Sequence, residues 1–350
     1  MVRLRAIALL LASLAAVGAE GATPKCVGGV LNLYVENDLF YRTDRNYTSG
    51  VKLTWVSPDI EDQVTDECVP GLVQPINEAV RDVFALRFSA ARQRNMVITL
   101  GQAMYTPGDK KRNELVREDR PYAGWLYLGL GYNERRREPG AELERLDSLE
   151  VNLGVVGPLA LAKQMQDTVH DLRGFERFNG WNNQLKNEPG VQIVAERKFK
   201  ASVRSREGDA IAHYGISLGN VATYVNAGIE LRWGTAVPDD FGSSPIRPAG
   251  NNNAPGSFPR DGERIARRGI HAFASLDLRA VARDIFLDGN TFRDSHHVKK
   301  RPFVGDVAVG VAAFTSGWRF SFARVFRSRE FEGEPSRHSY GSFTVGRDFD

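Results

Sequence analysis

The stretch Leu31-Asn32-Leu33-Tyr34-Val35-Glu36-Asn37-Asp38 decides the fold. Leu31, Leu33 and Val35 alternate with Asn32, Tyr34, Glu36 and Asp38, the period-2 signature of a strand with one apolar and one polar face. The scheme recurs along the chain. Val51, Leu53 and Trp55 alternate with Gly50, Lys52 and Thr54, and Leu149, Val151, Leu153 and Val155 with Ser148, Glu150, Asn152 and Gly154. Val225–Trp233 and Ile270–Leu278 repeat it. A soluble sandwich alternates too. Here the segments are about as long as membrane-spanning strands, roughly 9–11 residues, and follow one another in up-and-down order. The pattern predicts an all-β fold, a transmembrane antiparallel barrel with an apolar outside and a polar lumen. Strands are expected near 29–40, 47–57, 95–106, 122–134, 147–158, 188–200, 210–219, 221–234, 269–288, 302–314, 317–330 and 339–349, about twelve in all.

Met1–Arg5 carries Arg3 and Arg5, and an apolar run from Ala6 to Val17 leads to Val17-Gly18-Ala19. This layout predicts a secretory signal over residues 1–19 and one barrel domain over 20–350. Export to an oxidising compartment makes a disulfide between the chain's 2 cysteines, Cys26 and Cys68, one expectation. Two separate thiols are the other.

Composition narrows the function. The 350 residues hold 46 Lys+Arg against 43 Asp+Glu, a net charge of +3, with the two signs interspersed. No basic block points to a nucleic-acid partner. No apolar run reaches the 18–20 residues of a spanning helix. Both strand-poor insertions, 58–94 and 235–268, fall at the periplasmic end of the expected topology. The second contains Asp239-Asp240-Phe241-Gly242 and reads as irregular.

At the other end, residues able to do chemistry collect. They are Glu36-Asn37-Asp38, Tyr47-Thr48-Ser49-Gly50, Tyr105-Thr106-Pro107, Lys110-Lys111-Arg112, Asp119-Arg120, Gly157-Pro158, Gln166 through His170 to Glu176, and Gly180-Trp181-Asn182-Asn183. His170 is one of 6 histidines, and an imidazole suits general-base work at neutral pH. Gln166 lies one helical turn before it. Asp38 and Glu176 are hard oxygen donors, or alternatively solvated rim carboxylates. Lys110, Lys111, Arg112 and Arg120 read as a basic rim that binds phosphates or simply solvates a loop.

In these motifs, taken in order from about residue 29 to the C-terminus, the chain resembles the outer-membrane lipid A 3′-O-deacylases, calcium-dependent twelve-stranded barrels. The resemblance implies hydrolysis of an acyl ester of lipid A in lipopolysaccharide, by a monomer seated among outer-membrane lipids. It implies His170 as the base that activates water, with Asn37 and Thr48 positioning that water or donating to the oxyanion. It also implies Ca²⁺ on Asp38 and Glu176, and substrate contacts from Lys110, Lys111, Arg120 and Gln166. The two insertions, and Asp350 after Phe349, depart from the family pattern. Three rivals remain at this stage, one of them an active-site relic with the fold intact, against which the retained base and acids argue. An outer-membrane phospholipase of the Ser-His-Asn type usually places His and Ser two apart on a strand, and no His-x-Ser occurs here. A porin or receptor barrel would need no such convergence of acid, base and amide.

Overall fold

The computed structural model describes residues 29–37, 46–60, 67–71, 73–75, 78, 93–136, 143–202, 207–243, 268–335 and 338–349. Twelve strands form one closed barrel: β1 (Val30–Asn37), β2 (Asn46–Val56), β3 (Gln93–Thr106), β4 (Ala123–Arg136), β5 (Leu143–Val156), β6 (Glu188–Ser202), β7 (Gly208–Gly219), β8 (Ala222–Gly234), β9 (Arg268–Asp284), β10 (Phe303–Thr315), β11 (Trp318–Arg327) and β12 (His338–Asp348). Each strand pairs antiparallel with its sequence neighbours, and β1 closes on β12 with Val30 opposite Asp348. Closure leaves no edge strand. The alternation read from the sequence therefore sorts side chains into an inside and an outside.

The sorting is the reverse of a soluble protein. Glu36, Lys52, Glu150, Glu196, Lys198 and Arg232 are buried in the lumen, whereas Leu128, Leu153, Leu218, Leu278 and Val311 are exposed on the outer face. Buried charges persist only when paired. Here Arg279 and Arg327 share Asp306 at 2.7 and 2.8 Å, and His213 meets Asp277 at 2.8 Å. An outside belt of Leu and Val suits hydrocarbon, and exposed aromatics flank it: Trp233 and Trp318 near one end, Phe303 and Phe326 near the other. No helix among the described residues is long and apolar enough to cross a membrane; the strands do the crossing.

The two ends differ. The end where β1 begins and β12 finishes, the terminal end, receives the segment after β8. Its irregular course is fixed from all sides. Asp239 accepts from Arg135 at 2.7 Å and from Lys200 at 2.6 Å, while Asp240 accepts from Arg232 at 2.5 Å and Arg319 at 3.0 Å. Phe241 is fully buried against Leu146, with Lys200 Nζ 4.7 Å and Arg135 5.4 Å from its ring. The residues expected to be an irregular loop are a plug in the lumen. Of the 58–94 insertion, the described part folds back on the wall: Ile60, Val69 and Val73 pack on Met96 and Tyr132. Cys68 is disulfide-bonded. Cys26, like the expected signal segment, lies outside the described residues.

The opposite, loop end carries a twelve-residue helix, α1 (Ala162–Arg173), and a short helix, α2 (Ile285–Asp288). The last stretch expected of strand nine, up to residue 288, belongs to α2. Asp284 ends the strand because its carboxylate accepts from the Phe286 amide at 2.9 Å, an N-cap that starts a helical turn. α2 is buried, and Phe286 stacks on Tyr105 at 4.1 Å. Beneath α2 lies a lumen cavity of about 130 Å³, lined by Glu36, Asp277, Arg279, Asp306 and Glu330 among others.

Candidate active site

The site is built outside the barrel wall. Asn37, Ser49, Met104 and Gly124 are successive cross-strand partners over β1–β4. Glu36 lines the lumen, so Asn37 faces away from it. Gly124 shares its face with Leu128, which is exposed on the outside. This row is therefore the lipid-side surface at the loop end.

α1 stands on that row. After β5 the chain turns at Gly157, whose φ of +105° and approach to the Lys186 and Asn187 backbone leave no room for a side chain. A 3-10 turn, Pro158–Ala160, and Leu161 in the left-handed region then open the helix. On β4, a Cβ at Gly124 would come within 2.5 Å of the Ala162 Cβ, so the helix rests on bare backbone. Gln102 completes the attachment by donating to the Ala160 carbonyl at 2.7 Å. Gln102 is a polar residue at a lipid-facing position, where Ile98 and Leu100 precede it; that break in the alternation is the sequence signal of its role.

Ala162, Gln166 and His170 recur four residues apart, so they form the buried stripe of α1. They pack with Met104, Tyr122, Phe178 and Trp181. His170 is 2 % exposed, with the rings of Phe175 and Phe178 edge-on at 5.9 and 5.7 Å. Its Nδ1 lies 2.6 Å from the Glu176 carbonyl oxygen. A carbonyl only accepts, so the proton sits on Nδ1 and the neutral ring keeps its lone pair on Nε2. The indole N–H of Trp181 likewise donates to Gln166 Oε1 at 2.7 Å, and the Gln166 Nε2 is buried with no acceptor among the described residues.

The structure gathers some of the expected residues and disperses others. His170, Gln166 and Glu176 meet at α1, and Lys110 and Lys111 lie beside them. Asn179 donates from its backbone to the Lys110 carbonyl at 2.9 Å and from its side chain to the Lys111 carbonyl at 3.2 Å. Asn37 faces the lipid side two strands from Met104. Thr48 falls at a bulge, where β2 slips its register with β3 between Tyr47 and Ser49. The Glu176 carboxylate is exposed and 3.7 Å from Lys111 Nζ, while its carbonyl serves His170. Asp38 lies outside the described residues. No group of three or more His, Cys, Asp or Glu side chains able to hold a metal occurs among the described residues.

Arg120 corrects the picture of a basic rim. It is 1 % exposed, points into the barrel rather than to solvent, and donates to Glu330 at 2.8 Å beneath the rings of Tyr105 and Phe331. Burial raises the Glu330 carboxyl, but Arg120 and Arg327 together outweigh it and set it at about 2. Asp119, its sequence neighbour, instead accepts from the backbone amides of Gly108 and Arg120 at 2.8 Å. Pairing with Glu330 takes Arg120 out of any solvated phosphate site.

A family model described as "Outer membrane protein LpxR" matches residues 4–349. The chain belongs to the LpxR family. This agrees with the resemblance drawn from the motifs. Among solved structures, LpxR from Salmonella typhimurium aligns over 91% of this chain and 99% of its own, with 19% identity and a TM-score of 0.65; the likeness shows the shared fold. The β domain of the Bordetella autotransporter BrkA, at 8% identity over 93% of this chain and 99% of its own, has a TM-score of 0.46. No curated protein sequence matches the chain. LpxR membership and the closed barrel make the protein an outer-membrane barrel, with α1 on its lipid-side wall.

Proposed function

We propose that the protein is a carboxylic ester hydrolase that removes an acyl chain from lipid A. The observation that carries this reading is the state of His170: proton on Nδ1, free lone pair on Nε2, on the helix face that meets the outside of the wall. A general base placed there serves a substrate in the membrane leaflet, which is where lipid A resides. With the loop end outward, that leaflet is the outer one.

In this reading a water beside His170 gives its proton to Nε2, and the oxygen attacks the acyl carbon. The tetrahedral intermediate collapses, the imidazolium returns the proton to the departing alkoxide, and a fatty acid is released. The Gln166 amide, buried and one turn from His170, donates to the oxyanion or to the ester oxygen. Asn37, on the adjacent wall, and Thr48, at the bulge, position the water. Lys110 and Lys111 at the rim hold a lipid A phosphate.

Calcium belongs to the proposal. A bulge removes a residue from ladder pairing, so peptide oxygens near Thr48–Gly50 are the donor type Ca²⁺ takes, and Asp38 and Glu176 would supply carboxylates. Bound there, the ion would polarise the ester carbonyl.

The porin reading is disfavoured by the plug at one end of the lumen and α2 at the other. Mass spectrometry of lipid A from cells with and without the protein tests the proposal. Loss of one acyl chain, absent with His170→Ala, is expected. Unchanged lipid A alongside hydrolysed phospholipid would assign the phospholipase reading instead.

A further inference from the structure

Helix α1 has three flanks, and the third leaves large apolar side chains exposed. Ala162, Gln166 and His170 meet the wall. Gln164, Asp167 and Asp171 lie on a polar flank, where Lys163 pairs with Asp167 at 2.5 Å. At about 100° per residue, Leu161 and Leu172 fall together on the third, beside Met165, which is half-buried against the wall cluster. Leu172 is 72 % exposed and Leu161 49 %. Leu159 before the helix and Phe175 after it extend the patch, and both are exposed. Leu161 has φ +59°, a region that bulky residues rarely enter, so the backbone holds an apolar side chain in the open.

We propose that this flank is seated among the acyl chains of the surrounding leaflet, making α1 an interfacial helix that rides in the lipid against the outside of the barrel. The helix stands on Gly124, whose face of β4 continues into Leu126 and Leu128, so the patch is continuous with the barrel's own lipid belt. Charged pairs border it, Lys111 with Glu176 and Arg177 with Asp171, as expected where a helix lies at headgroup level. Water-facing surfaces rarely expose a contiguous patch of large apolar side chains, whereas hydrocarbon favours one. The inference rests on the barrel and its lipid face, and stands apart from the proposed esterase.

Site-directed spin labelling tests it on the full chain in phosphatidylethanolamine/phosphatidylglycerol vesicles. Cys68 is disulfide-bonded, so a single introduced thiol can be labelled. Labels at Leu161→Cys and Leu172→Cys are expected to relax more with oxygen than with a water-soluble nickel chelate, and a label at Gln164→Cys the reverse. Leu159→Cys and Phe175→Cys serve if Leu161→Cys does not fold. An aqueous pattern on both flanks overturns the proposal. A second arm uses Leu172→Ser. Hydrolysis of lipid A in vesicles should fall roughly tenfold, with a soluble short-chain ester turned over as by wild type. Equal loss on both substrates would make the flank structural and overturn it. A wild type inactive on lipid A would defeat the esterase and leave the label result standing.

Discussion

Trp181 fixes the amide of Gln166. The indole nitrogen can only donate, so the 2.7 Å contact requires the Gln166 oxygen, and the NH₂ group must point the other way. A buried NH₂ without an acceptor costs about 1–3 kcal/mol, which a substrate oxygen would offset in the proposed reaction.

Trp181→Phe keeps the ring packing on Tyr122 and removes the donor. The expected result is a lower kcat with KM little changed, because the amide loses its orientation rather than the site its shape. Gln166→Glu, which would put a carboxylate beside the proposed oxyanion, should lower kcat further. Steady-state kinetics on both variants check this; wild-type kcat in Trp181→Phe would show that the indole does not position the amide.

The Arg120–Glu330 pair predicts stability rather than binding. Removing one partner of a buried ion pair costs roughly 3–5 kcal/mol. Arg120→Met should therefore lower the heat-modifiability midpoint strongly, and Arg120→Met with Glu330→Leu should recover part of the loss. The folded state holds the Glu330 carboxyl at about 2, below its ordinary 4.5. The folded state thus binds the proton less readily than the unfolded chain. The pair's contribution is fully present above about 4.5 and is lost as pH falls toward 2. Melting curves across this range should show a step in wild type that Glu330→Gln lacks.

The lumen plug and the lipid-side site should be separable. Asp239→Asn with Asp240→Asn leaves the cations Arg135, Lys200, Arg232 and Arg319 short of charge partners, so thermal stability should drop by several kcal/mol. Burial raises the Asp239 and Asp240 carboxyls, but the surrounding cations outweigh it and hold both below the usual carboxylate range, so both are ionised at neutral pH. Hydrolysis at the permissive temperature should stay within about twofold, because the described plug residues lie at the opposite end of the barrel from α1. Loss of activity in a folded variant would tie the lumen to the reaction.

The barrel was legible because period-2 alternation is a local property, and a closed antiparallel sheet turns it directly into faces. β1 through β12 lie close to where the pattern puts them; β5 starts four residues before 147, β11 stops at Arg327, and the tail of β9 differs because a single capping aspartate redirects the chain. The His170–Gln166 stripe was legible from its spacing of four. Arg120 was not, since its partner Glu330 is 210 residues away and no local pattern encodes that pairing. The same holds for Asp239 and Asp240, whose partners come from β4, β6, β8 and β11. That the site lies outside the wall required the register row Asn37–Ser49–Met104–Gly124, which only the paired strands reveal.

If Ca²⁺ is held as proposed, excess chelator should abolish hydrolysis and Ca²⁺ restore it. Mg²⁺ should restore it poorly, since it demands tighter octahedral geometry and sheds water reluctantly. Asp38→Ala and Glu176→Ala should mimic chelation while the barrel stays heat-modifiable. The Glu176 carbonyl, which holds the imidazole, survives Glu176→Ala, so that variant removes the carboxylate and leaves the His170 tautomer in place. Isothermal titration with Ca²⁺ reads the site independently of activity.

His170 should act as a general base on water, with no acylated serine. Its Nδ1–H is committed to the Glu176 carbonyl, so Nε2 is the atom that takes the proton. A positioned base typically contributes about 10²–10⁴-fold. His170→Ala and His170→Gln should both lose at least that in kcat, since glutamine fills the space but has no basic nitrogen. Protonating the ring removes the Nε2 lone pair, so the wild-type rate should have an acid limb that the residual activity of His170→Gln lacks. Ser49 lies in the wall row opposite Asn37 and is the hydroxyl best placed to mislead. Ser49→Ala should keep substantial activity, and hydrolysis in ¹⁸O-water should label the released fatty acid in a single turnover. A trapped acyl-enzyme would overturn the assignment.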